Sequence, residues 1–135
     1  MENQDVRWKQ RLENLKNALA RLESACAKQG YSELELAGLV QTHQFTFEQC
    51  WKTLKALLTY EGYEVNSPRE TIRKAFELSL IEDVECWFNA LESRNILSHV
   101  YDESMAIQAI SCIKNDFAPI LRECVAVLEE RAGNT

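Results

Sequence analysis

Apolar residues recur every three or four positions over long stretches of the chain, which is the spacing of one face of an α-helix. The first stretch ends before Gly30, and its apolar stripe consists of Trp8, Leu12, Leu15, Leu19, Leu22 and Cys26. The second runs from about Ser32 to Glu61 with a wider stripe of Leu36, Leu39, Val40, His43, Phe47, Cys50, Trp51, Leu54, Leu57 and Leu58. The pattern therefore predicts two long amphipathic helices in the first half of the chain.

A capping signal opens the second half. Ser67 is suited to cap a helix, Pro68 to occupy its first position, and Glu70 to reach back and close a capping box. A short third helix is expected here, with three residues facing the core: Ile72, Ala75 and Phe76.

Two further helices are predicted. Asp83 is the expected N-cap of a fourth helix, which ends near positions 99–101 and has an apolar stripe of Val84, Trp87, Phe88 and Leu91. A fifth helix begins at Asp102 or Ser104. Pro119 lies inside its apolar pattern, so a kink or a break is expected there.

The composition supports an all-α fold. Only 4 Gly and 2 Pro occur among 135 residues, too few for many short strands joined by turns. We predict a single domain over residues 1–135, an up-and-down antiparallel bundle of about five helices. Because the stripes are wide and the chain has three tryptophans, we expect some apolar surface to stay uncovered in a single bundle and therefore predict a homodimer.

Charge and hydropathy limit the classes of partner. The 15 basic and 21 acidic residues give a net charge of −6, which disfavours a broadly basic nucleic-acid-binding surface but leaves a local basic site open. No apolar run approaches the ~18 residues of a membrane span, and the N-terminus lacks a signal-peptide core. A cytoplasmic protein without membrane contact is expected. The five widely spaced cysteines then predict free thiols.

Familiar catalytic and cofactor motifs are absent from the sequence. It has no P-loop, dinucleotide-binding glycine motif, nucleophile elbow or H-E-x-x-H, and with two histidines neither a metal nor a cofactor is expected. His43 lies on an apolar stripe and is interpreted as a core or interface imidazole hydrogen-bonded to a neighbour. Glu48 and Lys52 are expected to form a surface ion pair. Arg69 and Arg73 are expected to be solvated, although they could contact a phosphate.

Several polar side chains with catalytic potential lie close together in segment 92–102, around the predicted end of a helix. Asn95 and His99 are i, i+4 neighbours, as are Arg94 and Ser98. Arg94 and His99 are five residues apart, so the reach of the arginine or a two-fold dimer would have to bring guanidinium and imidazole together. The pair could cleave a phosphodiester, with imidazole moving protons and guanidinium holding the charge on phosphorus. Alternatively, these residues simply terminate a helix, with His99 at the negative end of its dipole.

The segment from Arg94 to Tyr101 resembles the R-x4-H-x-Y motif of the HEPN superfamily. Five further blocks, in this order, resemble the bacterial nucleotidyltransferase substrate-binding protein family: residues 45–52, 60–62, 67–70 and 75–76, and Trp87. The resemblance covers nearly the whole chain.

This resemblance implies a helical dimer encoded beside a small, separate nucleotidyltransferase. In related toxin–antitoxin pairs the HEPN protein is a metal-independent ribonuclease, which its partner silences by transferring AMP to the motif tyrosine. Carried over to this chain, Arg94 would stabilise the phosphate, His99 would act as acid and base, and Tyr101 would accept AMP. Asn95 and Ser98 would orient the imidazole.

Three interpretations follow from the sequence. The first is a toxin-like ribonuclease acting on RNA and regulated at Tyr101. The second is a non-enzymatic subunit that presents a nucleotide or another substrate to the partner enzyme. The third is a purely structural helical dimer.

Overall fold

The computed structural model describes the backbone of residues 2–97 and 103–133 and the side chains of residues 3–93 and 103–133. Over these residues the chain is helical, without a β-strand. The elements are α1 (Glu2–Cys26), α2 (Glu33–Tyr60), α3 (Pro68–Glu77), α4 (Val84–Leu97), α5 (Glu103–Cys112), a π-helical turn (Ile113–Phe117) and α6 (Ala118–Gly133). The predicted all-α bundle is confirmed.

Helices α1 and α2 form an antiparallel pair at the centre of the fold. Five of the six residues in the predicted α1 stripe are buried, from Trp8 to Leu22, and Cys26 is half-buried. The Thr46 hydroxyl of α2 donates to the Ala18 carbonyl of α1 at 3.3 Å, whereas Arg7 and Thr59 line one groove nearer the other ends of these helices. The apolar stripes therefore face each other along most of their length.

Helix α6 packs against both helices of this central pair and runs antiparallel to α1. Lys16 of α1 pairs with Glu129 at 3.7 Å, and Glu23 pairs with Arg122 at 3.2 Å. These exposed pairs contribute little stability, about 0–1 kcal/mol each. The burial of apolar residues such as Leu121 and Leu128 holds α6 in place instead.

Side-chain caps begin three of the helices. The Ser32 hydroxyl accepts from the Glu35 N–H at 3.1 Å, and the Glu35 carboxylate accepts from the Ser32 N–H at 2.9 Å, a complete capping box for α2. Asp83 accepts from the Cys86 N–H at 3.2 Å at the start of α4, as predicted. After α2, Gly62 takes a φ of 96°, a left-handed conformation that favours glycine.

The structure corrects two expectations for α3. Ser67 caps the helix, accepting from the Glu70 N–H at 3.1 Å, but the Glu70 carboxylate accepts from the Asn66 N–H and leaves the capping box unclosed. Phe76 was expected in the core and is 46% exposed, whereas Ile72 and Ala75 are fully buried. The buried residues of α3 are Thr71, Ile72 and Ala75.

Pro119 is accommodated without a break in the helix. A proline cannot donate to the preceding turn, and its ring crowds the carbonyl four residues earlier. Between α5 and α6 the chain widens into the π-helical turn Ile113–Phe117, in which the Ala118 N–H donates to the Ile113 carbonyl. Helix α5, the π-helical turn and α6 follow one another without a gap, so the break that was considered does not occur and the helix widens locally instead.

The described helices include none long and apolar enough to cross a lipid bilayer.

Candidate active site

The motif residues predicted from the sequence occupy the end of α4 and the positions after it. Arg94 and Asn95 lie in the last turns of α4. Ser98, His99 and Tyr101 lie outside the described residues, as does the predicted end of this helix near positions 99–101. The side chains of Arg94 and Asn95 are outside them as well.

The helix that carries Arg94, α4, is packed into the core through several buried residues. Trp87 is 1% exposed, and its ring centroid lies 5.9 Å from that of Phe47 on α2. Ala90 is buried, and the buried Ser93 hydroxyl donates to the Ala90 carbonyl at 2.7 Å. Arg94 follows Trp87 by seven residues, close to two helical turns, so its Cα lies on the same side of α4. Core packing therefore fixes the position of the Arg94 backbone.

Arg69 of α3 packs against the buried part of α4. Arg69 forms an ion pair with Glu92 at 3.2 Å, and its guanidinium lies 5.0 Å from the ring centroid of Phe88. A carboxylate and an aromatic face therefore already engage Arg69, which makes it a poor candidate for binding phosphate. Arg73 is exposed, as the sequence predicted.

His43 belongs to the core and not to the candidate active site. It is 1% exposed and stacks on Phe117, with ring centroids 5.2 Å apart and an interplanar angle of 19°. Burial lowers the pKa of His43 to about 4, so the ring is neutral at pH 7. The expected core position is confirmed, although Nδ1 has no hydrogen-bond partner within the described part of the chain.

The cysteines do not form a reactive centre. All five are free, as predicted; Cys50 and Cys124 are buried, and the other three are half-buried. Burial raises the pKa of Cys50 well above its usual value, and a hydrogen bond with Cys124 adds to this. Burial, with the Asp83 carboxylate next in effect, raises the pKa of Cys86 to about 11. The thiols of Cys50 and Cys86 therefore stay protonated at neutral pH, which is the unreactive form.

Within the side chains that the structure describes, no group of three or more histidines, cysteines and carboxylates is placed to hold a metal ion.

Sequence reasoning missed a groove between α1 and α2 with a volume of about 410 Å³. Four of its lining residues are cations: Arg7, Arg11, Lys52 and Lys55. The expected pair of Glu48 and Lys52 is present at its edge, with 3.9 Å between Oε1 and Nζ. The only sequence signal was that each pair of cations lies one helical turn apart.

Comparison with known proteins agrees with this architecture. A solved crystal structure from Thermus thermophilus superposes with a TM-score of 0.75 at 29% identity, covering 86% of this chain and 97% of that one. A protein of Haemophilus influenzae (strain Rd) named probable ribonuclease HepT is 29% identical over 87 residues. That alignment spans 61% of this chain and 59% of the relative's length.

The structure defines an all-α helical bundle, and the R-x4-H sequence of the chain begins on α4. The model of the family described as "nucleotidyltransferase substrate binding protein like" matches residues 10–130. The chain belongs to this family.

Proposed function

We propose that this protein is a metal-independent endoribonuclease of the HEPN type, acts as a homodimer, and is silenced by a separate nucleotidyltransferase. The observation that carries the proposal is the sequence R-x4-H-x-Y, which begins on a helix anchored in the core of a chain of this family. The relative named probable ribonuclease HepT supports the same activity.

In the proposed reaction the RNA supplies its own nucleophile. Neutral His99 removes the proton of a ribose 2′-hydroxyl, and the oxygen attacks the adjacent phosphorus. The bond from phosphorus to the 5′-oxygen breaks, leaving a 2′,3′-cyclic phosphate. The 5′-oxygen then takes the proton from the imidazolium and leaves as a hydroxyl. Arg94 balances the negative charge that builds on the phosphoryl oxygens, and Asn95 and Ser98 orient the imidazole.

Silencing requires the partner enzyme and ATP. The phenol oxygen of Tyr101 attacks the α-phosphorus of ATP, the bond to the β-phosphate bridging oxygen breaks, and pyrophosphate leaves while the phenol proton passes to solvent. Tyr101 lies two residues after His99. An AMP group there would add an anion and a bulky base two residues from His99 in the sequence, and we expect it to block RNA from the site.

The direct test is RNA cleavage by the protein expressed without any nucleotidyltransferase. We expect cleavage to persist in a metal chelator and to fall by at least about 10²-fold in His99→Ala, since a general acid–base group contributes about that much or more. Tyr101→Phe is the matched control, because it changes the same segment and should cleave RNA like the wild type.

Two readouts make the result decisive. Intact mass must show that each protein lacks a bound AMP, and circular dichroism must show that His99→Ala retains its helices. Equal cleavage by His99→Ala and the wild type would contradict the proposal.

The family description favours a second candidate, a subunit that binds substrate for the partner nucleotidyltransferase. In that case the unmodified protein would cleave none of several RNAs. A nucleotide or another substrate would instead raise the melting temperature of the complex with the partner.

A further inference from the structure

The groove between α1 and α2 has a charge that is unusual for this protein. The chain carries a net charge of −6, yet four of its 15 basic residues line this one groove. Arg7 and Arg11 are one turn apart on α1, and Lys52 and Lys55 are nearly one turn apart on α2. Because the helices are antiparallel, the two pairs form facing rows.

Most of this positive charge is uncompensated. Lys52 has the Glu48 carboxylate at 3.9 Å, but Arg7, Arg11 and Lys55 form no ion pair with the described carboxylates. Like charges one turn apart on a helix repel each other, and facing rows add to that repulsion. An anion that binds between the rows would offset this repulsion.

The shape and lining indicate which anion fits. Trp51 lies at the groove but is 8% exposed, and its indole N–H donates to Glu48 Oε2 at 2.9 Å, so its ring is not available to stack on a base. Two rows of cations contact an extended series of charges better than a single one. This suits the phosphates of a nucleic-acid strand, recognised without regard to sequence.

We propose that this groove binds the phosphodiester backbone of the RNA substrate, outside the residues that cleave it. The inference rests on the proposed ribonuclease function, because a chain with a net charge of −6 that cleaves RNA needs a local basic surface to hold it. The groove is built by α1 and α2, whereas the cleavage motif begins on α4. Groove residues therefore affect the capture of RNA and not the chemical step.

Binding is tested with a fluorescent single-stranded RNA and the non-cleaving His99→Ala protein, by anisotropy over a series of salt concentrations. Adding Arg11→Gln and Lys55→Gln should weaken binding by about 25-fold near 0.1 M salt. The slope of log K against log salt should also become shallower by about 1.4, for two lost contacts at about 0.7 each. Arg21→Gln, an exposed arginine of the same helix outside the groove lining, is the matched control and should change neither quantity.

Two further measurements separate capture from folding and from chemistry. The melting temperature of the groove variant without RNA should stay the same or rise, since repulsion is removed. With His99 intact, the groove substitutions should raise KM and leave kcat unchanged.

The outcomes for the groove and for the proposed function are distinguishable. Unchanged RNA affinity and salt slope in the groove variant would overturn the groove assignment, even if His99→Ala still abolished cleavage. Weakened binding would support the groove, even if the wild type cleaved nothing and the ribonuclease proposal failed. If ATP alone bound in the groove and RNA did not, the assignment to RNA would also be wrong.

Discussion

At the scale of single residues, His43 links burial to a dependence of stability on pH. The ring is enclosed by α2 and the π-helical turn, with Phe117 stacked on one face and Phe47 at a centroid distance of 6.3 Å. Protonation would place a charge where neither water nor a described partner compensates it, so the folded protein holds the neutral form. The unfolded chain takes up a proton near pH 6.5, the ordinary pKa of histidine.

The native pKa is depressed, so His43 contributes full stability above about pH 6.5 and loses it as the pH falls towards 4. From about pH 7.5 to pH 5 we expect the free energy of unfolding to fall by about 2 kcal/mol through this residue. His43→Leu should lack this component. The measurement is urea unfolding of both proteins at each pH. A difference between them that stays constant with pH would contradict the assignment.

The apolar stripe of α2 predicted the burial of His43, because three of its neighbours one turn away are apolar: Leu39, Val40 and Phe47. The stacking on Phe117 was beyond prediction, since 74 residues separate the two and only the packing of the π-helical turn on α2 joins them. For the motif residues, spacing and resemblance supplied a chemical role but no geometry.

At the scale of the helices, caps decide where the chain changes direction. Ser67 follows an extended segment, and its hydroxyl satisfies the free N–H of Glu70 in the first turn of α3. α3 in turn packs against α4, so this one hydrogen bond supports the helix that carries Arg94.

Ser67→Ala should lower the free energy of unfolding by about 1 kcal/mol, the usual cost of removing an N-cap hydroxyl. The same change at Ser24, exposed inside α1, should have almost no effect or stabilise slightly, because alanine is the better helix former. Thermal or chemical unfolding of the two variants measures the contrast. Equal effects at both positions would show that the cap contributes nothing.

The positions of the helices were largely predictable, because capping residues and the spacing of apolar residues are read from short stretches of sequence. The Ser67-Pro68 signal and the Asp83 cap mark the starts of α3 and α4 where the structure has them. Phe76 was misplaced because periodicity indicates which residues share a face but not how much of that face a neighbour covers. For Pro119, the sequence indicated a disturbance, and the structure shows a π-helical turn just before it in place of a break.

When the helices pack together in the folded protein, they form a groove whose lining comes from two distant segments of the chain. The two cation rows of the groove are more than 40 residues apart in sequence and meet only because α1 and α2 run antiparallel. The overall charge of −6 argued against a broadly basic surface but left a local basic site open. Net charge nevertheless hides a local arrangement that depends on which helix faces touch.

The proposed active site also depends on how parts of the chain distant from each other come together. Helical positions five residues apart lie about 140° apart around the axis, so Arg94 and His99 do not share a face of a continuous helix. The homodimer that we propose would solve this by pairing the arginine of one protomer with the histidine of the other. On this basis we expect Arg94→Ala and His99→Ala proteins, each inactive, to regain ribonuclease activity when they are unfolded and refolded together.

The expected recovery is about a quarter of wild-type activity, because half of the dimers are mixed and each mixed dimer holds one complete site of two. Each variant refolded alone is the control, and sedimentation equilibrium checks that both form dimers. If the mixture stays inactive while both dimers form, each protomer must contain its own Arg94–His99 pair, and the reach of the arginine along one chain would then join the two groups. Recovered activity could come only from a site shared across the two-fold axis, which would make dimerisation a condition of catalysis.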